Sequence, residues 1–168
     1  MVVMEIEFRP TSDVCDDHDD ANVVTLAFHS LGGRDTMAGV VVTVKAHEDN
    51  SLVKEAVALD GTGKVLVVDG GGSMRRSMVG GNVAAEAAAN GWNGIVVHGA
   101  VRDSQELRTI DLALHALGTV PRKTEKHGVG QRNIPVTFGG VTFHPGDHLY
   151  ADLDGVVVLR PAHRDSVG

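Results

Sequence analysis

With a single cysteine, Cys15, this chain of 168 residues can form neither an internal disulfide nor a cysteine-based zinc site. Positive charge is not in excess. The formal net charge of -7 argues against bulk binding to a phosphate backbone. No apolar stretch is long enough to span a membrane, and the N-terminal residues lack the basic-then-apolar pattern of a signal peptide, so the expected location is the cytoplasm. A phosphate loop is absent, because Gly63-Lys64 is followed by Val65. The dinucleotide pattern beginning at Gly70-x-Gly72 fails at Arg75, and there is no hydrolase elbow. These gaps weigh against a nucleotide site, a cofactor-binding methyltransferase and a serine hydrolase. Asp152-Leu-Asp154-Gly155 looks like a piece of a calcium loop but lacks the closing glutamate, and it reads as a turn. No repeat, low-complexity tract or linker divides the chain, so residues 1–168 read as one domain burying about 70% of its unfolded surface.

What is present concentrates around Arg102-Asp103. Lys64-Val-Leu-Val-Val-Asp69 is an apolar run ended by Gly70-Gly71-Gly72, a buried strand and its exit loop. Residues 83–90 are alanine-rich and helix-favouring, with Gly91 placed as a C-terminal cap. Residues 95–101 form a second strand. Strand, helix and strand at this spacing make a βαβ unit with parallel strands. The helix start then lies at the carboxyl ends of both strands, the edge where open α/β sheets bind ligands. Gly80, Gly81, Asn82 and Val83 should therefore face Arg102 and Asp103. Free N–H groups at a helix start suit a carboxylate, and a guanidinium grips one through a planar fork of donors. Asp103 offers the hard oxygen that Mg²⁺ or Mn²⁺ prefers. A plainer reading stands beside this one. Asp103 and Glu106 also fit a capping pair for a helix over residues 104–117, with Leu107, Ile110, Leu114 and Leu117 inward, and Arg102 also fits a surface ion pair.

The remainder reads as scaffold. Thr11-Ser12-Asp13 can cap a short helix. The acids Asp16, Asp17, Asp19 and Asp20 form a solvated surface, and nothing in their spacing builds a metal geometry around His18. Residues 39–45 form a β-branched strand, followed by a helix containing residues 52–59. Residues 134–138 and 141–143 flank Gly139-Gly140, a two-residue hairpin signal. Residues 155–159 form a final strand, and residues 161–168 a frayed tail. This mixture predicts an α/β sandwich rather than a doubly wound dinucleotide domain.

The ordered motifs also carry a resemblance. Gly32-Gly33-Arg34, Thr43-Val44-Lys45 followed by Glu48-Asp49-Asn50-Ser51-Leu52, and Val67-Val68-Asp69-Gly70-Gly71-Gly72-Ser73 lead the series. Gly91-Trp92-x-Gly94, Gly99-Ala100-Val101-Arg102-Asp103, Phe138-Gly139-Gly140-Val141-Thr142-Phe143, and Pro145-Gly146-Asp147 before Tyr150-Ala151-Asp152 complete it. The chain resembles, from about residue 11 to residue 158, the family of the regulator of ribonuclease activity A (RraA) and the class II 4-hydroxy-4-methyl-2-oxoglutarate aldolases.

The resemblance implies a swivelling β/β/α sandwich like the phosphohistidine domain, and a ring-shaped homotrimer with sites near subunit boundaries. It implies a metal-dependent carbon–carbon lyase that releases pyruvate, with oxaloacetate decarboxylase side activity. The pyruvyl group would lie against Gly80, Gly81, Asn82 and Val83 and be gripped by Arg102. Asp103 would hold Mg²⁺ or Mn²⁺ largely through waters. Some family members carry an acid at the position of Gly81, whereas others have glycine there and an acid at the position of Glu106; this chain resembles the second kind. The family also contains non-catalytic inhibitors of a ribonuclease of the RNase E type, which is the alternative reading. Members of that kind lacking the aspartate lose the metal ligand, so Asp103 favours the enzymatic branch.

Overall fold

The computed structural model describes residues 5–161. The frayed tail expected at residues 161–168 lies outside the described residues except for the exposed Pro161. The elements in chain order are α1 (Thr11–Asp17), β1 (Asn22–Val23), β2 (His29–Ser30), β3 (Met37–Lys45), α2 (Ser51–Val57), β4 (Lys64–Asp69), β5 (Ser77–Val79) and α3 (Gly81–Ala89). They continue with β6 (Gly94–Val101), α4 (Ser104–Leu107), β7 (Ala113–Thr119), β8 (Gln131–Arg132), β9 (Val136–Phe138), β10 (Val141–Phe143), β11 (His148–Asp152) and β12 (Gly155–Leu159).

One mixed sheet carries the fold, in the order β1-β12-β11-β3-β4-β6-β7-β2, with β5 added to β6 and β8 to β3. Its central strands β3, β4, β6 and β7 run parallel. The outer strands β11, β12, β1 and β2 join antiparallel. Alternation along the central strands loads both faces, as the pleat requires. Leu66, Val68, Ile95 and Val97 point into a core shared with Val53, Val57, Val83, Ala84 and Ala87 of α2 and α3. Val65, Val67 and Val96 point the other way, onto Phe138 and Phe143. The layers are thus helices, sheet, and the separate hairpin of β9 and β10. Gly139 and Gly140, at φ 58° and 76°, make the positive-φ turn that a two-residue hairpin needs.

The βαβ expectation holds: β4, α3 and β6 form the unit, with the two strands parallel. The small side chains of α3 let it sit close on the sheet, and it ends where Gly91 takes φ 86° after Asn90. Trp92 follows, buried at 3% exposure, with its indole N–H donating to the carbonyl of Leu59 at 3.1 Å.

Three local readings are corrected. The helix predicted over residues 104–117 stops at Leu107. The chain turns, with Leu112 N–H donating to the Ile110 carbonyl at 2.8 Å, and re-emerges as β7. Leu107 and Leu114 do reach the same core, but from two different elements. Pairing β7 along β6 satisfies a row of backbone groups that a continued helix would leave open. The helix predicted to contain residues 52–59 ends at Val57, and Leu59 is exposed. The Thr11 side chain does not cap α1; its hydroxyl and backbone N–H both donate to the Asp152 carboxylate, at 2.8 Å each.

Candidate active site

The carboxyl end of β6 and the start of α3 meet because β5 intervenes between them. β5 pairs parallel to the last residues of β6, and the Arg102 N–H donates to the Val79 carbonyl at 3.0 Å. The chain therefore leaves β5 directly into Gly80 and Gly81 beside Arg102 and Asp103. Asp103 adopts a left-handed backbone (φ 64°, ψ 43°), which aspartate tolerates better than most side chains.

Its carboxylate then takes an unexpected role. Asp103 stands at the N-cap of α4 but makes no side-chain bond to that helix. Instead Oδ2 accepts the Gly81 N–H at 2.9 Å, at the first residue of α3. The plain capping reading of Asp103 and Glu106 is thereby displaced: the aspartate serves the neighbouring helix across 22 residues of sequence. Among the described residues Oδ1 has no hydrogen-bond partner.

Glycine is required by contact at both preceding positions. A Cβ at Gly80 would lie 2.8 Å from Asp103 Oδ2 and 3.3 Å from Arg102 Nε. A Cβ at Gly81 would lie 2.2 Å from Glu106 Oε2 and 2.5 Å from Oε1. A side chain at Gly81 would thus collide with Glu106 before it reached open space. The two carboxylates of Asp103 and Glu106 flank the same Gly80-Gly81 segment; spacing placed Asp103 there, and the family resemblance implied Glu106.

A cleft of about 220 Å³ opens beside them, lined by Gly80, Gly81, Asn82, Val83, Arg102 and Asp103. The six expected site residues other than Glu106 are thus together in its lining. Asn82 and Asp103 are exposed, Arg102 is half-buried, and its Nη1 donates to the Pro121 carbonyl at 3.3 Å. Glu106 does not line the cleft; it packs against Gly81 from the side.

The rest of the lining was not anticipated. Asn50, Lys54, Ser77, Glu86, Lys123 and Lys126 complete the lining. Asn50 is buried, its amide donates to the Met78 carbonyl at 3.2 Å, and its Oδ1 accepts the Thr124 hydroxyl at 2.9 Å. The only sequence signal for these residues was the polar cluster Glu48-Asp49-Asn50-Ser51 opening a helix, and a start of α2 accounts for it just as well.

As a donor set for a hard cation, two adjacent carboxylates suit Mg²⁺, which binds through one or two carboxylates and keeps several waters. No group of three or more His, Cys, Asp or Glu gathers among the described residues, so a dedicated all-protein cage is not what this site offers.

A family model described as "RraA-like: Aldolase/RraA" matches residues 11–158. A protein of Azotobacter vinelandii named "Putative 4-hydroxy-4-methyl-2-oxoglutarate aldolase" is 54% identical over 149 residues, spanning 88% of this chain and 92% of its own length. The solved structure of the RNA-processing inhibitor RraA from Thermus thermophilis matches with a TM-score of 0.89 at 43% identity, covering 97% of this chain and 100% of that one. A Geobacillus kaustophilus structure, named as an S-adenosylmethionine:2-dimethylmenaquinone methyltransferase, also matches with a TM-score of 0.89, at 42% identity over 90% of this chain and 95% of its own. Three different activities are named on one fold, so the geometry of the site must decide among them. What the comparisons do establish is that this chain belongs to the RraA-like family.

Proposed function

We propose that this chain is a class II aldolase that cleaves 4-hydroxy-4-methyl-2-oxoglutarate to pyruvate, with oxaloacetate decarboxylation as a second activity. One observation carries the reading: Arg102, the Asp103 carboxylate and the glycine start of α3 converge on one cleft, with Asp103 tied to the Gly81 N–H at 2.9 Å.

In the reaction, the carbon–carbon bond between C3 and C4 breaks and its electron pair passes to C3, giving the enolate of pyruvate. The C4 hydroxyl loses its proton as C4 becomes a carbonyl, and C3 is protonated afterwards. Arg102 holds the oxo-acid carboxylate and places fixed positive charge where negative charge grows. The backbone of Gly80 and Gly81 has no side chain, so the substrate can lie directly against the helix start. Asp103, with Glu106 beside it, would hold a divalent cation, which supplies Lewis-acid polarisation of the 2-oxo group when bound. Decarboxylation of oxaloacetate leaves the same enolate and needs the same groups.

The test is pyruvate release from both substrates, with Mg²⁺ or Mn²⁺ and with excess chelator. Turnover that disappears with chelator and returns with metal is the expected result. Full activity in chelator would overturn the class II assignment. The methyltransferase name has no support in the sequence, which lacks a cofactor-binding glycine pattern. Ribonuclease inhibition is a second reading, favoured by the 43% identity to an RNA-processing inhibitor. It predicts inhibition of a ribonuclease of the RNase E type that survives Asp103→Asn.

A further inference from the structure

A cavity of about 190 Å³ opens near the amino ends of β4 and β6, at the far end of these strands from Arg102. Its apolar lining comes from Val42, Ala56, Leu59 and Trp92, and its cations are Lys64 and Arg132. Leu59 is 53% exposed, although Ala56 and Val57 just before it are in the core. Arg132 is the anomaly. Its Nε is buried without a hydrogen-bond partner, the only such side-chain nitrogen or oxygen among the described residues. Its nearest acid, the largely exposed Glu55, stands 3.7 Å from Nη1, beyond hydrogen-bonding distance. A guanidinium carries five N–H donors and cannot shed its charge, and buried donors are nearly always met. The one carboxylate in the lining, Asp60, does not answer it. Asp60 Oδ1 accepts the Thr62 N–H and hydroxyl at 3.0 and 2.7 Å, while the Lys64 ammonium donates to the Asp60 carbonyl at 3.2 Å.

Hydrogen bonds hold the cavity open. The Trp92 indole N–H donates to the Leu59 carbonyl at 3.1 Å and the Asn90 amide to the Val57 carbonyl at 2.8 Å, fastening the end of α2 to the turn before β6. Arg132 is carried by β8, opposite Val44 of β3, and the Asn133 N–H donates to the Thr43 carbonyl at 3.0 Å. An apolar floor beside an unanswered guanidinium fits a ligand with an apolar body and one carboxylate. A cation would be repelled by Arg132 and Lys64, and a bare inorganic anion would leave the Leu59 side chain in water.

We infer that this cavity is a second ligand site, taking a small monocarboxylate with an apolar body of about six to eight carbons, the size that a cavity of this order admits. Arg132 takes the carboxylate, Leu59 covers the body, and Trp92 lies beneath it. Lys64 adds positive charge. The site is separate from the cleft beside α3 and does not depend on which reaction that cleft performs.

Four probes separate charge from body: hexanoate, hexan-1-ol, hexylammonium and acetate, titrated calorimetrically and by Trp92 emission. The wild type should bind one hexanoate per chain, at least about tenfold more tightly than any of the other three, and its Trp92 emission should change on binding. Arg132→Met should lose the advantage of hexanoate over hexan-1-ol, and Arg132→Lys should keep part of it. Leu59→Ser, at an exposed position, should weaken hexanoate and leave acetate unchanged, and it carries the test if Arg132→Met does not fold. Arg102→Lys should leave hexanoate binding as it is. Absence of saturable hexanoate binding, or equal hexanoate affinity in the wild type and Arg132→Met, would overturn the inference. So would binding that disappears in Arg102→Lys, because the acid would then sit in the cleft beside α3. Acetate as tight as hexanoate would overturn it too, since the apolar body would contribute nothing.

Discussion

Two clefts share one loop and treat charge differently. Lys123 and Lys126 line the cleft beside α3, whereas Glu125 and His127 line a second one with His47, Glu48, Arg75 and Arg76. The second is the larger, about 300 Å³ against 220 Å³. Its charges, however, answer one another. Arg75 Nε meets Glu48 at 2.9 Å, Arg76 meets Glu125 at 3.7 Å, and His127 Nε2 meets Glu125 at 2.8 Å. The hydrogen bond to Glu125 raises the pKa of His127, and the same bond, with help from Arg76, lowers that of Glu125. In the second cleft the cations are paired within the protein, whereas those of the first have no carboxylate partner among the described residues.

The comparison breaks most decisively at Arg102. If the cleft beside α3 is the reactive one, Arg102→Lys should lower kcat/KM for pyruvate release about a hundredfold or more, because an ammonium cannot reproduce the planar fork. Asp103→Asn should be similarly inactive while remaining folded, since asparagine accepts the Gly81 N–H and tolerates the left-handed backbone. Wild-type turnover in either variant would reduce that residue to a structural role.

The next effect is on stability, at the root of the second cleft. Asp49 is 4% exposed. Burial pushes its pKa up, but hydrogen bonds from the Ser51 hydroxyl and from the N–H groups of Ser51, His127 and Val129 outweigh this and bring it down to about 2. Asp49→Asn should cost about 2 kcal/mol at neutral pH. The sign follows from a folded pKa below the unfolded one. The contribution is complete above the unfolded carboxylate range and is lost as pH falls toward about 2. Urea denaturation of both proteins from pH 7 to pH 3 should therefore show the gap closing with acid. A gap that is constant with pH would mean that the charge of Asp49 contributes nothing.

A subtler effect, about tenfold in turnover, is expected where Gly81 and Glu106 compete for space. Glu106→Ala should lower activity and open room at position 81, so that Gly81→Asp in that background recovers part of it. In the wild-type background the same Gly81→Asp must push Glu106 aside. A two-by-two comparison of turnover checks this, and full activity in Glu106→Ala alone would show the acid to be dispensable. The smallest effect belongs to the second cleft's surface: Glu125→Gln should change stability by under about 1 kcal/mol and leave turnover unchanged. Loss of pyruvate release in Glu125→Gln would erase the distinction between the clefts.

Much of the site was legible because its parts lie on one βαβ unit. Strand runs, an alanine-rich helix and its glycine ends fix which residues meet at the sheet edge, and Gly80, Gly81, Asn82, Val83, Arg102 and Asp103 do meet there. The helix predicted over residues 104–117 failed because Leu107, Ile110, Leu114 and Leu117 stand at helical spacing, while the open edge of β6 recruits residues 113–119 as a strand. Periodicity carries no information about an edge waiting to be paired. The lysines of the lining were invisible for a different reason. Lys54 and Lys123 are 69 positions apart, and the hydrogen bonds uniting their segments run through Asn50, Thr124 and Ser77, none of which has a spacing signature.

Trp92 gives the molecule a built-in optical reporter. It is the sole tryptophan, and it sits before β6 whereas Arg102 sits after it, so the two are separated by roughly 25 Å of extended strand. Its indole is enclosed, and a Cβ on Gly61 would fall 2.1 Å from the ring. Emission from Trp92 therefore follows the integrity of the sheet and is indifferent to what occupies the cleft. Substitutions at Arg102, Asp103 or the lysines can be graded for folding by fluorescence alone, without a ligand, and any that shifts the emission has disturbed the frame rather than the chemistry.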